Sequence, residues 1–364
     1  MKSILIKSVR RFSTNVGNGE GIFSMIRTKG FRFCRVVINK LMINTSYLSL
    51  IVFIGFLSCG SKKEAINIQE KFGNFNGQNI LLKPVDHTNA PVAKKIEHHP
   101  ELFTHLDDVE IFSMAYNSDS LMISGYMVQP KKPANYPVII FNRGGNQELG
   151  RLLIATAVEV MAPFAAEGFV VVASNYRGNS GSQGQEEFGG TDVRDISNLI
   201  SNLYEIEKAD TNNINLLGIS RGGMMNYLTL KNYKGTKIKS VATIGGVSDL
   251  AITLKHHSQM ESVYQELIPE YDTNPSKALQ SRSANYWADE LPDISYLILH
   301  STTDEHVHHS QALMLADSLK KYGKEVNIQV FADDTHGLGN NRDKVITEIV
   351  DLFKKNSLRD EVLL

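Results

Sequence analysis

The chain has only two cysteines among its 364 residues, Cys34 and Cys59, and both precede the part that reads as globular. A disulfide framework inside the domain is therefore excluded. It also lacks basic charge where a nucleic-acid partner would need it. Residues 1–41 hold nine Lys or Arg and a single acid, Glu20, and residues 42–59 hold no charge. That leaves 29 basic and 38 acidic side chains in residues 60–364, a net −9, so no nucleic-acid partner is expected. There is no internal repeat and no low-complexity tract. The length suits one large α/β domain with additions.

Long apolar runs are missing except at residues 41–59, where Lys40 and several arginines precede an uncharged stretch ending Phe56-Leu-Ser-Cys59-Gly. A basic flank, a short apolar core and small residues at the end make a signal-like segment. Its end resembles the lipobox of bacterial lipoproteins, with Phe56 in place of the more usual Leu. The resemblance implies that Cys59 is lipidated and that the mature protein is held to a membrane of the cell envelope, facing the periplasm or exterior. An uncleaved membrane helix is the rival, since the uncharged run is long enough to span. Residues 1–41 are long for a leader, and Met42 is an alternative start.

Chemistry enters at Asn213-Ile-Asn-Leu-Leu-Gly-Ile-Ser220-Arg-Gly-Gly-Met, which contains G-x-S-x-G as Gly218, Ser220 and Gly222. The apolar run 214–219 reads as a strand and residues 224–233 as a helix. A serine on a sharp strand-to-helix turn needs small neighbours and stands exposed above the sheet, with a positive helix end behind it. A glycine-rich turn whose serine only caps the helix is the bland reading. A nucleophilic serine needs a base, and the base an orienting acid. Downstream, Asp304 follows the apolar strand 294–300, and His336 follows the alternating strand 325–331. The order Ser, Asp, His, with all three at carboxyl ends of expected strands, suits an α/β-hydrolase site. Asp249, after the preceding strand, is the alternative acid. Asp333 and Asp334 lie too close to His336 to be preferred.

Beyond this elbow, three more segments carry a resemblance: Glu167 to Gly181 with Arg177-Gly-Asn-Ser-Gly181, Gly189-Gly-Thr-Asp-Val-Arg-Asp195, and Leu297-Ile-Leu-His-Ser-Thr-Thr-Asp304. Together they resemble the catalytic domain of the prolyl oligopeptidase family of serine peptidases, over roughly residues 106–356. The resemblance implies Ser220 as nucleophile, Asp304 as orienting acid and His336 as general base. It also implies an acyl-enzyme, no cofactor and no metal. The oxyanion donors expected are the N–H of Arg221 and a group from the loop Asn142-Arg143-Gly144-Gly145. Many family members carry Tyr or His where Arg143 stands. Arg143 is therefore expected to donate itself, to leave the task to the Gly144 amide, to grip a substrate carboxylate, or merely to point to solvent or brace the loop through a carboxylate.

The fold expected is an α/β-hydrolase: a mostly parallel eight-stranded sheet with helices on both faces and a short helical insert. Strands are expected at 109–116, 121–128, 137–141, 169–174, 214–219, 238–243, 295–300 and 326–331, with Asn117-Ser-Asp-Ser120 turning between the first two. Residues 1–59 read as leader, 60–105 as tether and irregular lead-in, and 106–364 as the catalytic domain. The insert, about 248–292, contains Met260, Tyr264, Tyr271, Tyr286 and Trp287, which either shape an acyl pocket or pack the insert onto the body. Between Cys59 and Val109 there is too little chain for a β-propeller. The substrate expected is a small peptide, with an ester (carboxylesterase or deacetylase chemistry) as the alternative. A non-enzymatic surface lipoprotein on the same scaffold is the third reading. His306, His308 and His309 beside Glu305 suggest either a metal site or a solvated loop opening a helix, and His256-His257 reads the same way.

Overall fold

A computed structural model describes residues 67–357. The leader, Cys59 and the first residues of the expected tether lie outside the described residues. Residues 109–130 form β2 (Val109–Ser118) and β3 (Leu121–Pro130), paired antiparallel from Val109 against Pro130 to Ser118 against Leu121. The turn is tighter than expected. Only Asp119 and Ser120 lie outside the strands, at φ 53° and 66°, the left-handed pair that matches the twist of a two-residue hairpin.

One antiparallel sheet edge was not expected. β1 (Ile80–Pro84) pairs with β2, so among the described residues the sheet has nine strands rather than eight, and the lead-in is not wholly irregular. The Glu205 carboxylate accepts from the N–H groups of Asn79 and Ile80 and fixes this edge. The remaining strands are β4 (Tyr136–Asn142), β5 (Val170–Ser174), β6 (Ala209–Ile219), β7 (Ile238–Ile244), β8 (Ser295–Ser301) and β9 (Glu325–Phe331). Their order is β1-β2-β3-β5-β4-β6-β7-β8-β9, and the run β5-β4-β6-β7-β8-β9 is parallel.

The chain steps from β4 to one side and then back past it to the other. The order therefore reverses at β4, and the crevice beyond its carboxyl end is where such sheets take ligands. Alternation along β4 shows why both faces are covered. Val138 and Ile140 join one core, while Ile139 and Phe141 join the other. Of the helices, α1 (Ile68–Phe72) and α2 (Ala93–His98) lie in the lead-in. The helical stretch α3 spans residues 154–166, with a π-turn at Ala157–Met161. Then come α4 (Val193–Asn202) and α5 (Arg221–Asn232). The insert holds α6 (Leu250–His256), α7 (Met260–Leu267) and α8 (Pro275–Ser281), before α9 (Ser310–Lys321) and α10 (Arg342–Ser357). Helices α4, α5 and α9 cover the first core, and α3 and α10 the second.

Three of the insert's aromatics serve packing, while Tyr286 is exposed. Tyr264, Tyr271 and Trp287 are buried, and the Tyr264 ring meets Phe188 edge-on at 5.3 Å. Trp287 Nε1–H donates to Gln280 O, and the Lys231 ammonium sits 4.4 Å from the indole. Among the described residues, no helix is long and apolar enough to cross a membrane.

Candidate active site

β6 ends at Ile219 and α5 begins at Arg221, leaving Ser220 alone at the corner with φ 58° and ψ −124°. That backbone costs on the order of 1–3 kcal/mol in a non-glycine residue, and the surroundings must enforce it. They do so from both sides. Ser220 N–H donates to Ile244 O at 2.9 Å, and Ser220 O accepts from Val247 and Gly223 at 3.0 and 2.9 Å. The glycine at 222 is required because any Cβ there would collide with the Asn142 carbonyl. Ser220 Oγ does not cap the helix, which removes the bland reading of this serine.

Asp304 and His336 come together. His336 Nδ1 lies 2.7 Å from Asp304 Oδ2, with the acid's side chain fully buried and the imidazole 17% exposed. Asp304 Oδ1 accepts from the N–H groups of His306 and Val307 at 2.8 and 2.9 Å. Burial alone would raise this carboxyl. Hydrogen bonds from His300 and His336 and the neighbouring imidazole charge outweigh it and hold the group well below the usual carboxylate range. The loop carrying His336 is sewn to the loop carrying Asp304. Asp334 O accepts from Ser301 and Thr303 hydroxyls at 2.6 and 2.9 Å, and the Asp334 carboxylate accepts from the N–H groups of Thr335, Asn340 and Asn341. Asp249 is elsewhere occupied, capping α6 through Ala251 and Ile252 N–H.

Ser220 and His336 flank the end of β7. Ile244 holds the serine's N–H, and a Cβ on the next residue, Gly245 (φ +53°), would stand 2.8 Å from His336 Nδ1. Ser220 Oγ and the imidazole are not hydrogen-bonded to each other here.

The loop after β4 corrects one expectation. Arg143 is 1% exposed, and its guanidinium does not face the site as a free donor. Its N–H groups donate to the carbonyls of Asn175 (3.2 and 2.9 Å), Gly144 (3.0 Å), Leu149 (3.1 Å) and Gln147 (3.0 Å). A five-donor fork with five bonds has nothing left for an oxyanion. Arg143 braces the loop, through carbonyls rather than a carboxylate. Burial and then the neighbouring Arg221 lower its pKa to about 10. Gly144 is pressed against the elbow: a Cβ there would lie 2.9 Å from Ser220 Cβ and 3.5 Å from Ser220 Oγ. The N–H of Arg221, first in its helix, has no partner inside that helix.

The Arg221 side chain holds what surrounds the elbow. It donates to the carboxylates of Glu186 and Asp192, both buried, and to Gly145 O at 3.0 Å, and it lies 4.5 Å over the Phe188 ring. Glu186 in turn accepts from Gln147 N–H and Asn179. Arg177 and Asp195, from the two other motifs, form a buried ion pair at 2.7 Å. The pairings of Arg221 and the role of His300 were not anticipated from sequence. A charged residue directly after the nucleophile, and an imidazole in the otherwise apolar strand before Asp304, were the available signals.

The loop histidines after Asp304 pack on one another, on His256 and on His336. His306 meets the His336 ring edge-on at 5.0 Å, and His308 stacks between His256 at 4.1 Å and His309 at 4.7 Å. In-plane lone pairs of stacked rings do not converge on one ion. His308 Nδ1 instead accepts from Ser310 at the opening of α9, as a solvated loop starting a helix would have it.

Comparison with known proteins places the chain among serine peptidases. The prolyl oligopeptidase family pattern matches residues 156–358. An uncharacterized peptidase, YtmA, of Bacillus subtilis (strain 168) is 28% identical over 63% of this chain and 86% of its own length. Dipeptidyl aminopeptidase B of Saccharomyces cerevisiae is 24% identical over 71% of this chain, but over only 32% of its own length. Among solved structures, Pyrococcus horikoshii acylaminoacyl peptidase superposes with a TM-score of 0.60 and 24% identity, over 71% of this chain and 43% of that one. With more than half of its length matched to the family pattern and the family's strand-to-helix serine in place, the chain belongs to the prolyl oligopeptidase family, whose members are serine hydrolases.

Proposed function

We propose that the protein is a peptidase of this family working without a propeller, on short peptides, through an acyl-enzyme. The observation that carries the reading is the 2.7 Å contact between His336 Nδ1 and Asp304 Oδ2, set across the end of β7 from the elbow serine. In the proposed reaction His336 Nε2 takes the Ser220 proton as Oγ attacks the scissile carbonyl. The imidazolium then hands that proton to the leaving amine. Water, deprotonated by the same nitrogen, releases the acid and restores the serine. Asp304 fixes the tautomer with Nε2 free and stabilises the cation. The proposed oxyanion donors are the N–H groups of Arg221 and Gly144, both beside Ser220. A backbone-only hole suffices, and each such donor is typically worth about a hundred- to a thousandfold in rate.

The test compares turnover of short peptide p-nitroanilides with that of p-nitrophenyl esters. A peptidase cleaves both, the activated esters faster because their carbonyl is the more easily acylating one. Ester cleavage without any anilide cleavage would make the protein an esterase or deacetylase of the same fold. We also propose residues 1–59 as leader, 60–105 as lead-in and 106–364 as the catalytic domain. Cys59 is proposed as the lipid anchor in the cell envelope, supported by the sequence Phe-Leu-Ser-Cys59-Gly.

A further inference from the structure

His300 is the penultimate residue of β8, four residues before Asp304, and is completely buried. Its Nε2 faces two acceptors, Val307 O at 2.8 Å and Asp304 Oδ2 at 3.1 Å. A nitrogen between two acceptors must carry the hydrogen, so the ring is held as its Nε2–H tautomer. Nδ1 is buried with no hydrogen-bond partner among the described residues. An imidazole with one nitrogen orphaned in the core is a poor choice for packing alone, since a leucine would leave nothing unpaired. What offsets that orphan is the other nitrogen, which donates to Val307 O on the loop that carries the aspartate and lies 3.1 Å from Asp304 Oδ2.

We propose that His300 is a positioning residue of the catalytic apparatus: its Nε2–H anchors Asp304 and competes with His336 for the same carboxylate oxygen, thereby setting the pH at which His336 becomes a base. The proposal rests on Asp304 being the orienting acid. The competition has a definite sign. A donor on Oδ2 draws off negative charge that would otherwise stabilise the imidazolium. Removing it makes the carboxylate a stronger partner for the imidazolium, so the acid limb of the pH–rate profile moves to higher pH. Other groups facing the pair are His306, edge-on to His336, and His257 and Glu305, which act on His306. His308 also feels His300 and Asp304, and Asp333 and Asp334 lie on the His336 loop. All remain in place in the variants below.

The experiment follows the rate of labelling by a fluorophosphonate probe against pH in wild type, His300→Asn and His300→Gln, with thermal unfolding to confirm folding. The Gln amide nitrogen reaches the position of Nε2, whereas the Asn amide stops near that of Nδ1. The acid limb is expected to rise by on the order of half to one pH unit in His300→Asn and to stay at the wild-type position in His300→Gln. An unmoved limb in His300→Asn, or an equal shift in both, overturns the proposal. The wild type alone supplies a second measurement: 15N shifts of His300 should show Nε2 protonated and Nδ1 bare, and the opposite tautomer overturns the proposal without any variant. If the folded wild type does not react with the probe, the hydrolase reading itself fails. The His300 assignment is then judged by that tautomer and by the midpoint of the His336 ring titration in wild type and His300→Asn.

Discussion

Replacing Arg143 by Met tests whether this guanidinium is a brace or a catalytic donor. The side chain is 1% exposed and serves four carbonyls, those of Gly144, Gln147, Leu149 and Asn175. Gln147 and Leu149 are exposed, so their carbonyls rehydrate cheaply, whereas Asn175 lies in the core and loses two bonds. One to two buried acceptors left unpaired, at about 1–3 kcal/mol each, give an expected loss of about 2–4 kcal/mol. In a domain of this size that lowers Tm by several degrees. Because Gly144 is packed directly on Ser220, loosening the loop also displaces one proposed oxyanion amide, and labelling by a fluorophosphonate should slow about ten- to a hundredfold. Arg143→Lys, with three donors on a flexible stem, should recover part of both losses. The assays are thermal unfolding and labelling rate on the same samples. A variant with unchanged Tm and a hundred- to thousandfold slower labelling would refute the reasoning, since a free donor to the oxyanion would behave that way.

Asp304→Asn should cost about ten-thousandfold in kcat while leaving the fold intact, because the amide favours the wrong imidazole tautomer. The lowered Asp304 carboxyl contributes stability that is present above the unfolded-chain value near pH 3.9 and is lost as the pH falls below it toward the folded value. The gap in unfolding free energy between wild type and Asp304→Asn should therefore narrow below about pH 4, as read by urea titrations at several pH values. Arg221→Met strands the buried Glu186 and Asp192 carboxylates. It should destabilise the protein by about 3–5 kcal/mol, whereas the triple change with Glu186→Gln and Asp192→Asn should recover much of that. Metabolic labelling with an alkyne fatty acid should mark the full-length protein and be lost in Cys59→Ala; labelling that persists in the variant would remove the proposed anchor.

Much of the scaffold could be read along the chain because the core strands are nearly continuous apolar runs bounded by polar turns. The strand ends then placed Ser220, Asp304 and His336 at one rim. β1 escaped because Ile80-Leu81-Leu82 is brief and followed by Lys83-Pro84. Its register is set by β2 and by Glu205, far away in sequence, and by no local pattern. The position of Arg143 was legible but not its direction, since what draws it inward is a set of carbonyls exposed by the fold of the loop. The same holds for Arg221, whose carboxylate partners lie on a loop that shows its purpose only once folded against α5. In the insert, residues such as Tyr264 and Trp287 carry an apolar body with a polar tip, a composition equally suited to lining a pocket and to packing. Burial of both resolved that choice.

The most direct test of the central claim is mass-spectrometric mapping of the adduct formed when the folded protein meets a fluorophosphonate. A single phosphonyl group on Ser220, absent in Ser220→Ala and slow to form in Asp304→Asn, is the predicted result. A folded protein left unmodified, or modified at another side chain, would contradict the assignment of Ser220 as nucleophile.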